Sequence, residues 1–224
     1  MEIVQQPDSI NFSAIDRETL HKIMHARRDM RHFLPNCTIE EDVLDRLMEA
    51  AHLAPSVGLM QPWRFIHIND DSLREKIAQL VDEEIQQTAN VMNERKAEFL
   101  RLKLEGIRDC AKLIAVIQAP DDGTLLGRRT LPTEMALCST ACAVQNLWLA
   151  TRAENLGMGW VSLFDPAKLA QLLCCPDGAQ PIALLCLGPV KEFYAEPMLV
   201  EEGWRKTKNI NSVQFNNKWP DETK

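Results

Sequence analysis

The chain has 224 residues, 46% of them apolar and 25% charged, which suits one α/β or α+β domain able to bury a substantial core. Its formal net charge of -7 excludes a broad nucleic-acid surface, so a basic cluster should be a local site. The opening "MEIVQQPDSINFSAID" lacks the apolar stretch of a secretory signal, and no run approaches the roughly 20 apolar residues of a membrane span.

In chain order, "DRETLHKIMHARR" (16–28) is expected to be a helix capped by Asp16, with Leu20, Ile23 and Met24 on one face. It runs into "RRDMRHF" (27–33), where Arg27, Arg28 and Arg31 crowd one carboxylate, Asp29. A second helix is expected from Thr38, where "TIEE" reads as a capping box, to a stop at Pro55. "APSVGLMQPW" then marks a tight turn through Pro55 and Gly58, and "WRFIHIN" (63–69) a strand. Residues 72–109 form a charged helical tract, broken near Gly106, that reads as a lid or as a solvated surface helix. "AKLIAVIQAP" (111–120) is a continuous apolar strand suited to a sheet covered on both faces. A loop with two more arginines follows.

From Thr133 to Asn155 a helix with apolar or small residues around nearly its whole circumference should be buried on most sides, with Gly157 placed to end it. "GMGWVSLF" (157–164) and "PIALLCLGPV" (181–190) are the remaining strands. The tail, 191–224, has little periodicity but carries Trp204, Arg205 and Trp219, which suggests packing on a second subunit. The whole is expected to be a single domain with an α+β sandwich. No G-x-G-x-x-G follows a strand and no P-loop occurs, so a dinucleotide or nucleotide-triphosphate fold is unsupported.

The seven cysteines (Cys37, Cys110, Cys138, Cys142, Cys174, Cys175 and Cys186) form no C-x2-C pair, so neither a metal site nor a redox dithiol is expected. They read as reduced, structural thiols of a cytoplasmic protein, with Cys138 and Cys142 buried on one helix face.

Three guanidinium groups near a helix end can clamp a phosphate, although the same pattern also fits a self-paired surface cluster. Asp29 reads first as a salt-bridged carboxylate. Ser56 can donate to a phosphate or carbonyl, and Gln61 can read an amide edge or bond local backbone.

The succession "RRDMRHF", "APSVGLMQPWRFI", "ALCSTACAVQNLWLATRAENLGMGWVSLFD" and "ALLCLG" resembles the FMN-dependent nitroreductase superfamily over roughly residues 17–190. Asp29, "PSVGLMQPWRF", "KLEGIRD" (103–109) and "GRRTLPTEMALCSTACAVQNLWLA" make it most similar to the flavin-consuming branch. The resemblance implies a nitroreductase-like sandwich: a central mixed or antiparallel sheet flanked by helices, with extended termini exchanged in a homodimer. It implies FMN binding by Arg27, Arg28, Arg31, Ser56, Gly58, Met60, Gln61, Leu163 and Arg205, with Asp29 and Ser162 as proton-transfer groups. Asp29 stands where typical members carry serine, and Leu59 where they carry the asparagine of the Gln-Pro-Trp turn. These departures favour a sealed, dry site, walled by Leu59, Met60 and the 72–109 lid, in which reduced FMN meets O2.

The implied products are 5,6-dimethylbenzimidazole and erythrose 4-phosphate, the implied co-substrate O2, and the source of FMNH2 a separate flavin reductase. Two other readings fit the same residues. One is an NAD(P)H-dependent FMN nitroreductase or quinone reductase; the other is a flavin-binding protein without catalysis.

Overall fold

A computed structural model describes residues 11–124, 127 and 131–220. Four strands, β1 (Trp63–Ile68), β2 (Lys112–Gln118), β3 (Gly157–Val161) and β4 (Gln180–Gly188), form one sheet in the order β1-β2-β4-β3. Every pairing is antiparallel, which resolves the expected "mixed or antiparallel" sheet. The helices are α1 (Ala14–Ala26), α2 (Glu41–His52), α3 (Asp71–Val91), α4 (Lys96–Arg101), α5 (Pro132–Ala153), α6 (Pro166–Leu172) and α7 (Met198–Glu201).

Strand β2 sits inside the sheet, and its side chains alternate between two cores because successive Cβ atoms point to opposite faces. Leu113, Ala115 and Ile117 join Ile77, Val81 and Leu169 under α3 and α6. Ile114 and Val116 join Leu44, Leu47 and Leu147 under α2 and α5. The continuous apolar run therefore lies in a sheet covered on both sides, as expected.

Element ends differ from the sequence reading where side-chain geometry decides. The cap of α1 is Ser13; Asp16 is the third helical residue and bonds back to the Ser13 backbone, completing a capping box. No box forms at "TIEE": the chain stays extended through Glu40 while Ile39 turns into the core, and α2 starts at Glu41 without a side-chain cap. It ends at His52, before Pro55. Helix α5 stops through the left-handed Asn155 (φ 58°), and Gly157 is the first residue of β3.

The tract 72–109 is broken twice: at Met92–Asn93, and after Arg101, where α4 ends and the chain through Gly106 is not helical. Its first part, α3, is anchored by Ile77, Ala78 and Val81, so it is neither a free lid nor a merely solvated helix. Gly106 serves a close approach: a Cβ there would lie 2.6 Å from the Phe33 ring and 2.9 Å from the Arg31 carbonyl.

Helix α5 is less enclosed than its composition implies. Leu137 is 45% exposed, and Cys138 and Cys142, expected to be buried, are exposed on the same side. All seven cysteines are free; Cys110 and Cys186 are the buried ones. Helix α1 has no buried residue, leaving Phe12, Ile15, Leu20 and Met24 open. In the tail, Trp204 packs on its own chain, beside Phe99 and under the Arg95 guanidinium (3.5 Å). Residues 205–220 lie exposed. Among the described residues no helix is long and apolar enough to cross a membrane, and no cluster of three His, Cys, Asp or Glu could hold a metal.

Candidate functional site

The segment after α1 is not helical. It lies along the outer edge of β3, where Met30 N–H donates to the Met158 carbonyl (2.9 Å). Gly159 makes this possible, since a Cβ there would sit 2.2 Å from the Met30 carbonyl oxygen. Beyond that bond the side chains take over the edge. The Trp160 N–H donates to Asp29 Oδ1 (2.9 Å), and the Arg31 guanidinium donates to the Trp160 carbonyl (2.7 Å).

Arg31 also grips Asp29 with two hydrogen bonds, of 2.5 Å to Oδ1 and 2.7 Å to Oδ2. The Arg31 side chain is 9% exposed and the Asp29 side chain 44%. Of the four lone-pair positions of the carboxylate, three are occupied by these bonds, which leaves one on Oδ2.

The other two arginines are differently disposed. Arg28 donates to the carbonyls of His25, Arg27 and Ala195, tying α1 to the tail. Its buried Nε has no partner. Arg27 lies over the Trp148 ring, 4.6 Å from the centroid. Among the described residues neither faces a carboxylate within salt-bridge distance. Three guanidinium groups against one carboxylate leave two uncompensated charges here, which suits a phosphate dianion.

Ser162 follows the last residue of β3 and is exposed, with no hydrogen bond to its hydroxyl among the described residues. It lies two residues beyond Trp160, so roughly 7 Å of extended chain separates it from the backbone N–H held by Asp29. Leu163 packs with Phe99, Leu102 and Trp204, beneath α4. Arg205 is exposed, its backbone N–H bonded to the Leu199 carbonyl.

The expected turn is strained. Gly58, Leu59 and Gln61 all have positive φ (57°, 54° and 42°), a region that costs a leucine or glutamine energy. Ser56 Oγ accepts the Gln61 N–H (3.0 Å), and Ser139 Oγ on α5 accepts the Val57 N–H (3.2 Å). Thus braced, the turn thrusts Leu59 outward at 76% exposure.

The Asp29 cluster and this turn do not meet within one chain. Ser139 braces the turn, whereas Trp148 donates to the carbonyls of Arg28 and Met158. Nine residues are about two and a half helical turns and ~13 Å of rise, so the two side chains leave α5 on opposite faces.

Sequence reading missed Trp148, Ser139 and Gly159 as supports, since each looks like ordinary core composition. A tryptophan and a hydroxyl in so apolar a helix were the available signals. Arg128 and Arg129, in the loop before α5, lie outside the described residues.

Residues 24–189 match the nitroreductase family. A 5,6-dimethylbenzimidazole synthase of Rhodobacter capsulatus is 38% identical over 201 residues, 88% of this chain and 96% of that protein. Another, from Rhodospirillum rubrum, is 38% identical over 195 residues, 84% and 90% of the two chains. In fold, the NADPH:FMN oxidoreductase of Vibrio harveyi, solved with NAD+, aligns at a TM-score of 0.68 over 90% of this chain and 78% of that one, with 16% identity.

Proposed function

The chain belongs to the nitroreductase family, and we propose that it consumes reduced FMN, fragmenting it with O2 to 5,6-dimethylbenzimidazole and erythrose 4-phosphate. The observation that carries this reading is Asp29. Its carboxylate is pinned by Arg31 and the Trp160 N–H on the edge of β3, beside a cluster whose remaining cations have no carboxylate. A carboxylate opposes phosphate binding, so a site that keeps one fixed there uses it chemically. The names of the relatives from Rhodobacter capsulatus and Rhodospirillum rubrum support the same reaction.

The residues fit the group. Arg27 and Arg28 hold the phosphate, with Arg205 from the tail as a further cation. Arg31 takes a different part from Arg27: its guanidinium orients Asp29 and lies at the edge of the clamp. Reduced FMN supplies the electrons and the carbon skeleton of the product. Asp29 accepts or returns a proton through the free lone pair of Oδ2, and Ser162 Oγ, exposed two residues past Trp160, is its partner in proton transfer. Gly58, Met60 and Gln61 border the ring through the strained turn braced by Ser56. Leu163, under α4, borders the other edge, and residues 92–105 act as the cover that excludes water.

Because α5 separates the Asp29 cluster from the turn, we place each site between two chains of a homodimer, with one chain supplying the cluster and the other the turn. The exposed apolar residues of α1, α5 and the tail suit that assembly. A separate flavin reductase supplies FMNH2, and seven free thiols suit a reducing cytoplasm.

Aerobic incubation with enzymatically reduced FMN tests the reading. Loss of flavin with appearance of dimethylbenzimidazole is expected. NAD(P)H oxidation with full recovery of FMN would replace this reading by a turnover nitroreductase, and neither reaction by flavin binding alone.

A further inference from the structure

Where β2 ends and β4 begins, a cavity opens beside the strained turn. Met60, Pro62, Pro120 and Ala136 give it an apolar side, facing a polar one of which Gln118 and Gln180 are part. Gln118 ends the apolar run of β2 and is 7% exposed, yet its Oε1 is buried without a hydrogen-bond partner. No hydrogen bond holds the carboxamide among the described residues, so rotation about its last torsion can turn either the oxygen or the NH2 into the cavity.

A buried amide left unpaired is costly and calls for an explanation, of which a ligand is one. The rest of the lining narrows the ligand. Arg64 faces the cavity but spends a nitrogen on the carbonyls of Gln61 and Trp63. The exposed Asp121 and Asp122 use carboxylate oxygens on the N–H groups of Gly123 and Thr124. One cation against two anions gives no cradle for an anion such as phosphate. The proline, alanine and methionine side, with the buried free carboxamide of Gln118 at its edge and the exposed one of Gln180 in the same lining, suits a small planar ring bearing a polar nitrogen edge.

We propose that this cavity binds the heteroaromatic product, a benzimidazole whose ring N–H or ring nitrogen pairs with the Gln118 carboxamide while its carbocycle lies against Met60, Pro62 and Pro120. The assignment rests on the function proposed above. Met60 belongs both to this cavity and to the turn proposed to border the flavin, so the cavity adjoins the place where the ring is released. It is an exit site for the product and distinct from the phosphate clamp, whose residues in the same chain lie across α5.

Calorimetric titration of the purified protein with 5,6-dimethylbenzimidazole, both free of flavin and loaded with oxidised FMN, tests the assignment. Saturable binding at one per chain is expected in both forms. Gln118→Leu should weaken it about tenfold, the scale of one hydrogen bond in a site. The same variant should melt at an unchanged or higher temperature, because it removes a buried atom that has no partner.

Absence of saturable binding, displacement by FMN, indifference to Gln118→Leu, or a clear loss of thermal stability in that variant would each overturn the site. A protein that converts reduced FMN yet fails to bind the product loses only this cavity assignment. One that binds it through Gln118 but makes none loses the proposed function and keeps a heteroaromatic site.

Discussion

Asp29 is pinned by Arg31 and the Trp160 N–H, and its substitutions should separate that structural part from the proposed proton transfer. Asp29→Asn keeps the size of the side chain and an acceptor for the Trp160 N–H, but sets an amide against a guanidinium whose side chain is 9% exposed. Some loss of stability is therefore expected, tempered by the 44% exposure of the carboxylate itself. If Asp29 also moves a proton, product formation by the folded variant should fall by about 10²–10⁴-fold while reduced FMN still binds. Melting temperature and rate must be measured on the same preparation; an unchanged rate in a folded Asp29→Asn protein would make the carboxylate structural.

The arginines should divide likewise. Arg27→Ala should weaken FMN by about 1.5–3 kcal/mol, the range for a hydrogen bond to a charged group, with little effect on melting. Arg31→Ala should chiefly destabilise, because it leaves Asp29 and the Trp160 carbonyl without their donor. Equal affinity for riboflavin and FMN would remove the phosphate clamp altogether.

Among the elements, β3 and the segment 29–31 form one unit through the missing side chain of Gly159. Gly159→Ala would push a methyl into the Met30 carbonyl, where 2.2 Å leaves no room. A cost of about 1–3 kcal/mol or more is expected from overpacking, together with weaker FMN binding as the arginines shift away from the strand. Chemical denaturation and flavin titration would read the two effects separately.

Helix α3 offers a test of a different kind. Its cap, Asp70, has a carboxyl held below its usual range by hydrogen bonds, first from the Ser72 hydroxyl and then from the Leu73 N–H. A lowered folded pKa means that the cap stabilises above the unfolded carboxyl pKa, near 4, and that this contribution is lost as pH falls through the folded value. Asp70→Ala should therefore melt below the parent at pH 6, with the gap closing toward pH 2. A gap independent of pH would show that the charge contributes nothing.

For the whole molecule, the decisive prediction concerns stoichiometry. The open apolar residues of α1, the bare side of α5 and the exposed tail imply an obligate dimer, with an interface above roughly 2,000 Å². Sedimentation at sub-micromolar concentration should show dimers, and a monomer retaining FMN would refute this. Mixing chains goes further. If each site takes its cluster from one chain and its turn from the other, co-refolded Arg27→Ala and Ser56→Ala chains should recover about a quarter of the normal sites, since half of the dimers are mixed and each mixed dimer has one intact site. No recovery would place both halves on the same chain.

Much of this protein is legible in one dimension because its local signals agree with its tertiary role. The apolar runs of β2 and β4 are long enough to read as strands whatever surrounds them, and the helices of α2 and α5 follow from periodicity and composition. The arginine cluster and the tight turn announce themselves as patterns within a few positions, whereas Ser162 and Leu163 stand out only through the family resemblance. What those residues do to one another required three dimensions. Nothing local tells Arg31 from Arg27, yet one is spent on Asp29 and a strand edge while the other stacks on Trp148 with its charge uncompensated. Nor does local sequence reveal that Cys138 and Cys142 lie on an open helix face, or that Gln118 carries an unpaired buried oxygen. Hydrophobic patterning is set by neighbours three or four residues away, whereas the groups a side chain is spent on and its exposure depend on what the fold brings to the same place, such as the Trp160 backbone 129 residues from Arg31.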